Sequence, residues 1–186
     1  MKAVRLPKKP DSVVNALRDA ILSGEMECGA ELTQTELAES LGVSRMPIRE
    51  ALLILEYQGL AERLPNQHLR VAEIDRSFFE NAFALGAELE RRVIETHHSD
   101  FPRFSEEMDF HRTAYRLTEN RFLSRILETL TETYIDYAVR CSGYDAEAGL
   151  SDLRRVCAGE GAETVLKAYF DRLTDVIMKE RGERGE

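Results

Sequence analysis

Apolar residues recur every three or four positions over most of the chain, which predicts a mainly α protein. Val13, Val14, Leu17, Ile21 and Leu22 share one helical face, with Asp11 or Ser12 as the cap and Gly24 as the stop. Leu37, Ala38 and Leu41 form a second, brief helix. Its start, Thr33-Gln34-Thr35-Glu36, has the spacing of a capping box, and Gly42 supplies a left-handed stop. Ser44 caps a third helix with Pro47 in its first turn, carrying Ile48, Leu52 and Leu55 inward to about Gln58. Ala61 to Leu64 and Leu69 to Val71 then flank the polar tip Pro65-Asn66-Gln67-His68, the pattern of a hairpin.

Beyond Ile74-Asp75 no strand is readable. Phe78, Ala82, Leu85, Leu89 and Val93 make the stripe of one long helix, broadened by Phe79 and Phe83, and Phe101-Pro102 ends the pattern. Helices follow from about Ser105 to Leu117, and from the Asn120 cap through Phe122, Ile126, Leu130, Tyr134 and Tyr137. Gly143 to Gly149 reads as loop and Leu150 to Ala158 as a short helix. A last helix carries Val165, Ala168, Tyr169, Leu173, Val176 and Ile177. The expected architecture is a winged helix-turn-helix over residues 1–74, followed by an all-helical antiparallel bundle over 75–186.

Composition sharpens this division. The 186 residues are 43% hydrophobic, too apolar for a disordered chain. The longest strictly apolar run, Ala51 to Leu55, is far below the ~20 residues of a membrane span. MKAVRLPKKP has no apolar segment after its basic residues, so no secretory signal is read. Cys28, Cys141 and Cys157 show no CxxC spacing, which suits reduced thiols and a cytoplasmic protein. A net charge of −9 argues at first against a nucleic-acid partner. Residues 1–74, however, hold 9 Lys/Arg and 11 Asp/Glu, a net of −2, against 16 and 23 in the remainder. The near-neutral half also has Lys2, Arg5, Lys8 and Lys9 at its start.

Two short helices joined by Gly42-Val43, with small Ala38 at their crossing, form a helix-turn-helix. Arg45 and Arg49 lie one turn apart and off the Ile48/Leu52/Leu55 stripe, where a recognition helix presents side chains to the major groove. Arginine reads guanine O6 and N7 in bidentate fashion. Met46 is placed to touch a thymine methyl, and Ser44 with the helix N-terminus suits a phosphate. Thr33, Gln34 and Thr35 on the second helix, and Asn66, Gln67 and His68 on the wing, complete the candidate DNA-facing set. The plainer reading of these positions is a solvated surface, with His68 merely an exposed loop histidine.

Ser44-Arg45-Met46-Pro47-Ile48-Arg49-Glu50-Ala51-Leu52 resembles the recognition-helix signature of the GntR family of bacterial transcription regulators. Gly24 to Gly29, Thr35-Glu36-Leu37-Ala38, Leu41-Gly42-Val43 and Gln58-Gly59-Leu60 match the surrounding pattern, so the resemblance covers about residues 10 to 73. The second half resembles the all-helical FCD effector domain of the FadR-like subfamily, through Phe110-His111 and Asn120. The resemblance implies a cytoplasmic homodimer that binds a palindromic operator, acts as a repressor and responds to a small carboxylate effector.

Metal-binding domains of this kind use an acid four residues before the histidine and two later histidines. Here Glu107 and His111 fill the first two places, while the later ones fall near Gly149 and on Asp171. An effector or divalent-metal site at Glu107, His111 and Asp171 is therefore a candidate, although the donor set is poor in nitrogen. No arginine stands between Arg76 and Arg91 to grip a carboxylate, and only a short link around Ser99 to Phe104 precedes the histidine-bearing helix, so the effector domain reads as abbreviated. The wing has His68 at about the place of a common glycine, and His97 and His98 read as surface residues. A metal-assisted hydrolase would need a third ligand, and the sequence offers neither GxSxG nor a phosphate loop, so no enzyme is expected. The alternative is a metal-binding or protein-interaction helical module with a vestigial winged helix.

Overall fold

The structure, a computed structural model, describes residues 10–184 apart from position 102. The basic residues Lys2, Arg5, Lys8 and Lys9 lie outside the described residues. The chain divides into two compact units, one running to Ile74 and taking in Arg181, the other Asp75–Glu180.

In the first unit, α1 (Pro10–Leu22), α2 (Gln34–Leu41) and α3 (Arg45–Tyr57) precede a hairpin of β1 (Ala61–Arg63) and β2 (Leu69–Val71). Helix α1 starts at Pro10, ahead of the expected cap. The strands are antiparallel, with Ala61 opposite Val71 and Arg63 opposite Leu69. Ile21, Leu22, Ile48, Leu52, Leu55 and Leu60 are fully buried and lock α1, α3 and the hairpin base into one core. Gly42 has φ 65, which ends α2 while the Val43 N–H donates to the Ala38 carbonyl at 3.1 Å.

Three details differ from the expected pattern. Thr33 and Ser44 sit at the N-caps of α2 and α3 in extended geometry, but neither side chain bonds the helix, so the capping box does not close. Residues 29–32 add a third, strand-like edge: the Leu32 N–H donates to Leu69 O at 2.8 Å and the Val71 N–H to Ala30 O at 2.9 Å. The last carbonyls of α1 are satisfied from far along the chain, because Arg181 Nη1 donates to Ile21 O at 2.7 Å and Leu22 O at 3.0 Å.

The second unit is helical throughout, which bears out the mainly α reading. It comprises α4 (Arg76–His97), α5 (Glu107–Leu117), α6 (Arg121–Thr129), α7 (Asp136–Arg140), α8 (Ala146–Cys157) and α9 (Ala162–Arg184), whose last turn counts with the first unit. A π-helical stretch, Leu130–Ile135, joins α6 to α7 where a continuous helix is expected. Asn120 does cap α6, accepting from the N–H groups of Phe122 and Leu123. Helix α8 begins at Ala146 on an Asp145 cap, so Gly149 lies within a helix rather than in a loop. Phe122, expected inside, is 71% exposed. The buried face of α4 is Phe79, Phe83, Gly86, Leu89, Glu90, Val93 and Ile94, which takes in Phe79, Phe83, Leu89 and Val93 of the expected broad stripe, while Phe78 and Ala82 are half-buried and Leu85 points to solvent. No helix of the described residues is long and apolar enough to cross a membrane.

Candidate nucleic-acid interface and buried polar cluster

The N-terminal turn of α3 carries Arg45 and Met46, both exposed, and Arg49 follows one turn later. Burial of Ile48, Leu52 and Leu55 orients these side chains outward, since residues three and four apart share a helix face. A cleft of about 370 Å³ lies beside them, lined by Thr33, Gln34, Thr35, Arg45, Arg49, Gln67 and His68, with Glu31, Leu53 and Arg63 among its other walls. The start of α2, α3 and the hairpin tip therefore converge on one concave surface. Ser44, Met46 and Asn66 are exposed but do not line the cleft, and Asn66 Oδ1 instead accepts from the His68 N–H at 3.1 Å.

Charge on this surface is more concentrated than sequence suggests. Arg63 flanks the wing but is engaged by Glu56 (Nε–Oε1 2.9 Å), which raises its pKa above the ordinary guanidinium value. Arg70 is held in the same way by Glu62. Neither Arg45 nor Arg49 forms an ion pair among the described residues, so the available positive charge is at the start of α3. His68 pairs with Glu31, which sets a carboxylate at the cleft edge. The residue of the tip that takes a left-handed conformation, where a glycine would be of use, is Gln67 (φ 69) and not His68. Sequence reasoning missed Glu31 and Leu53, because neither belongs to the motif.

In the second unit, Glu107 and His111 stand one turn apart on α5 and both face inward. Tyr169 Oη donates to Glu107 Oε2 at 2.8 Å, and Tyr144 Oη donates to the same oxygen at 2.6 Å. Burial first, then the neighbouring phenol and Glu107, push Tyr169 well above its ordinary value; burial and the bond to Glu107 push Tyr144 the same way. Both therefore keep their protons. With its proton committed to Glu107, Tyr169 Oη accepts from His111 Nε2–H at 2.9 Å. His111 Nδ1 faces Glu90 Oε1 at 2.6 Å, and one proton must lie between them. His111 and Glu90 are almost completely buried, and Glu90 Oε2 has no hydrogen-bond partner among the described residues.

Asp171 is not part of this cluster. It is exposed and pairs with Lys167 at 2.8 Å, because residues two apart on α9 face nearly opposite ways and Tyr169 takes the inward direction. The position near Gly149 cannot supply a ligand either. A Cβ there would stand 2.6 Å from both Glu107 carboxylate oxygens and closer still to the Tyr144 hydroxyl. Both nitrogens of His111 are engaged, and no group of three His, Cys, Asp or Glu among the described residues is arranged to hold a metal ion. The donor set does not fit a metal. Gly149→Ala should accordingly destabilise the second unit by ~1–3 kcal/mol through displacement of Tyr144 or Glu107, as read by urea denaturation. Unchanged stability would mean that the Glu107–Tyr144 contact is loose. Of the other histidines, His97 bonds Asp100 at 3.3 Å.

Residues 9–71 match the model of the bacterial regulatory proteins of the gntR family. An uncharacterized HTH-type transcriptional regulator from an unstable DNA locus of Streptomyces ambofaciens is 37% identical over 90 residues, 42% of this chain and 38% of that protein. The uncharacterized HTH-type regulator YdhC of Bacillus subtilis is 31% identical over 81 residues, 44% of this chain and 36% of that one. The matches thus span well under half of these relatives' length. The solved structure of Lar, which controls expression of the Listeria monocytogenes agr system, aligns over 95% of this chain and 99% of its own with a TM-score of 0.59 and 18% identity, a likeness of fold. Residues 9–71 are therefore similar to the bacterial regulatory proteins of the gntR family and lie ahead of a helical second unit.

Proposed function

We propose that the protein is a cytoplasmic transcription regulator that binds palindromic operator DNA as a homodimer and acts as a repressor. The observation that carries this reading is the pair Arg45 and Arg49, exposed at the start of α3 without ion-pair partners among the described residues, beside the cleft formed with α2 and the wing. In this reading Arg45 and Arg49 contact guanines and Met46 a thymine methyl. Ser44, Thr33, Gln34 and Thr35 meet phosphates, and Asn66, Gln67 and His68 follow the backbone from the wing. Residues 1–74 form the DNA-binding domain, while residues 75–186 hold two copies together and receive a small-molecule effector, the carboxylate that the family resemblance implies. Effector binding changes the spacing or mobility of the two DNA-binding domains, and operator DNA must alter effector affinity by the same factor.

Binding of the full chain to genomic duplex fragments over a series of salt concentrations tests this reading. A regulator that neutralises several phosphates loses affinity steeply and linearly on logarithmic axes as salt rises. With a net charge of −2 on residues 1–74, its non-specific binding should be weak, so selected fragments should stand well above the background. Failure to retain any fragment at low salt would favour a protein-interaction module with a vestigial winged helix.

A further inference from the structure

Between α4 and α9 of the second unit runs an open groove of about 730 Å³, which the buried cluster does not use. Its α4 wall includes Arg76, Glu80, Ala84, Ala87 and Arg91 (with Phe83 and Glu88 at the two edges of this line), and Glu95 continues the same line one turn on. These six are three or four residues apart and so share one helix face about 28 Å long. All are exposed or half-buried, and the face has alanine at its centre and charge toward both ends.

The order of charges is self-complementary in one direction only. We infer that this face of α4 is the surface on which two copies of the chain pair, antiparallel, about a two-fold axis crossing the helix between Leu85 and Gly86. In that register Arg76 meets Glu95 of the partner copy, Glu80 meets its Arg91, and Ala84 meets its Ala87. Two-fold symmetry repeats each contact, giving four ion pairs around a centre of small side chains. A parallel pairing opposes like charges along the whole face. A four-residue slip of the antiparallel pair sets Arg76 against Arg91, or Glu80 against Glu95.

The division of labour follows from magnitudes. Exposed ion pairs contribute little affinity each, so the charges fix direction and register. The central alanines let two helices approach to ~8 Å, where backbone and Cβ packing supply the contact. Within one copy the same charges are already paired, Arg76 with Asp175 at 2.8 Å and Glu80 at 3.7 Å, and Arg91 with Glu88 and Glu95, so pairs across the two-fold share or exchange these partners and their net gain is small. The opposite wall adds Lys167 with Asp171 and Glu163, so the seam is flanked by charge on both sides.

The inference rests on the homodimer proposed above and names its surface. Sedimentation equilibrium of the full chain gives the dimer dissociation constant for wild type, Glu80→Arg, Arg91→Glu and the double variant. Each single reversal should weaken the dimer by about tenfold or more, and the double reversal should recover most of the loss because the pairs are re-formed with exchanged signs. Circular dichroism checks that the variants are folded. Independently, Ala84→Cys with Ala87→Cys, in a background with Cys28, Cys141 and Cys157 changed to serine, should give a disulfide-linked dimer on mild oxidation, whereas Ala84→Cys alone should not. A wild-type chain that sediments only as monomer would overturn the homodimer and this surface together. A dimer indifferent to both reversals and not cross-linked by the cysteine pair would overturn this surface alone.

Discussion

Replacing both Arg45 and Arg49 by alanine lowers operator affinity by at least about thirtyfold, while leaving the melting temperature of the chain almost unchanged. The magnitude follows from ~1–3 kcal/mol for each bidentate arginine–guanine contact, with tenfold in affinity per ~1.4 kcal/mol. The selectivity of the effect follows from the structure. Both side chains are exposed and form no ion pair among the described residues, so neither substitution removes a fold-stabilising contact. Arg63→Ala makes an informative contrast. Its guanidinium is bound to Glu56 and to the Gln67 carbonyl at 3.3 Å, so this substitution acts mainly on the wing's shape and less on base preference. Fluorescence anisotropy with a labelled operator duplex reads all three. Equal losses for Arg63→Ala and for the double variant would mean that the surface acts as a diffuse charge.

The second large effect is on stability. His111→Leu should cost about 3–5 kcal/mol, because it leaves Glu90 buried with neither carboxylate oxygen partnered. The same substitution removes the donor to Tyr169 Oη. Glu90→Leu combined with His111→Leu should recover much of the loss, since a buried pair replaced by apolar groups of similar size is often nearly neutral. Urea denaturation of the single and double variants separates these outcomes. Additive losses would show that Glu90 and His111 do not act as a pair.

The first unit was largely legible because its chemistry is local. Gly42, Ala38, Pro47 and the spacing of Ile48, Leu52 and Leu55 depend on neighbours within one or two turns, and the helix-turn-helix stands where they place it. The failures there concern side-chain choices between near-equal partners. Thr33 and Ser44 occupy cap positions without making the cap bonds, and His68 turns to Glu31. The buried cluster was legible only in part. Glu107 and His111 share a face by spacing alone, but Glu90, Tyr144 and Tyr169 reach them from three other segments of the chain. A glutamate in a long helix reads as solvent-facing, so Glu90 stayed hidden although Phe79, Phe83, Leu89 and Val93 of the same buried face were legible. The crowding around Glu107 left no signal in the sequence, because Gly149 reads there as loop and stands within α8 only in the structure. The missing cap bonds leave the fold intact, whereas Asp171 facing away and the crowding at Gly149 remove the metal site.

The central claim is that the start of α3 reads base sequence. Selection of bound duplexes from a random pool by the full chain, in parallel with the Arg45→Ala/Arg49→Ala variant, tests it most directly. The account predicts an enriched palindrome for the wild-type chain, with guanines at symmetric positions that lose their preference in the variant. A pool that remains random with the wild-type chain, or the same palindrome enriched by both proteins, would contradict it.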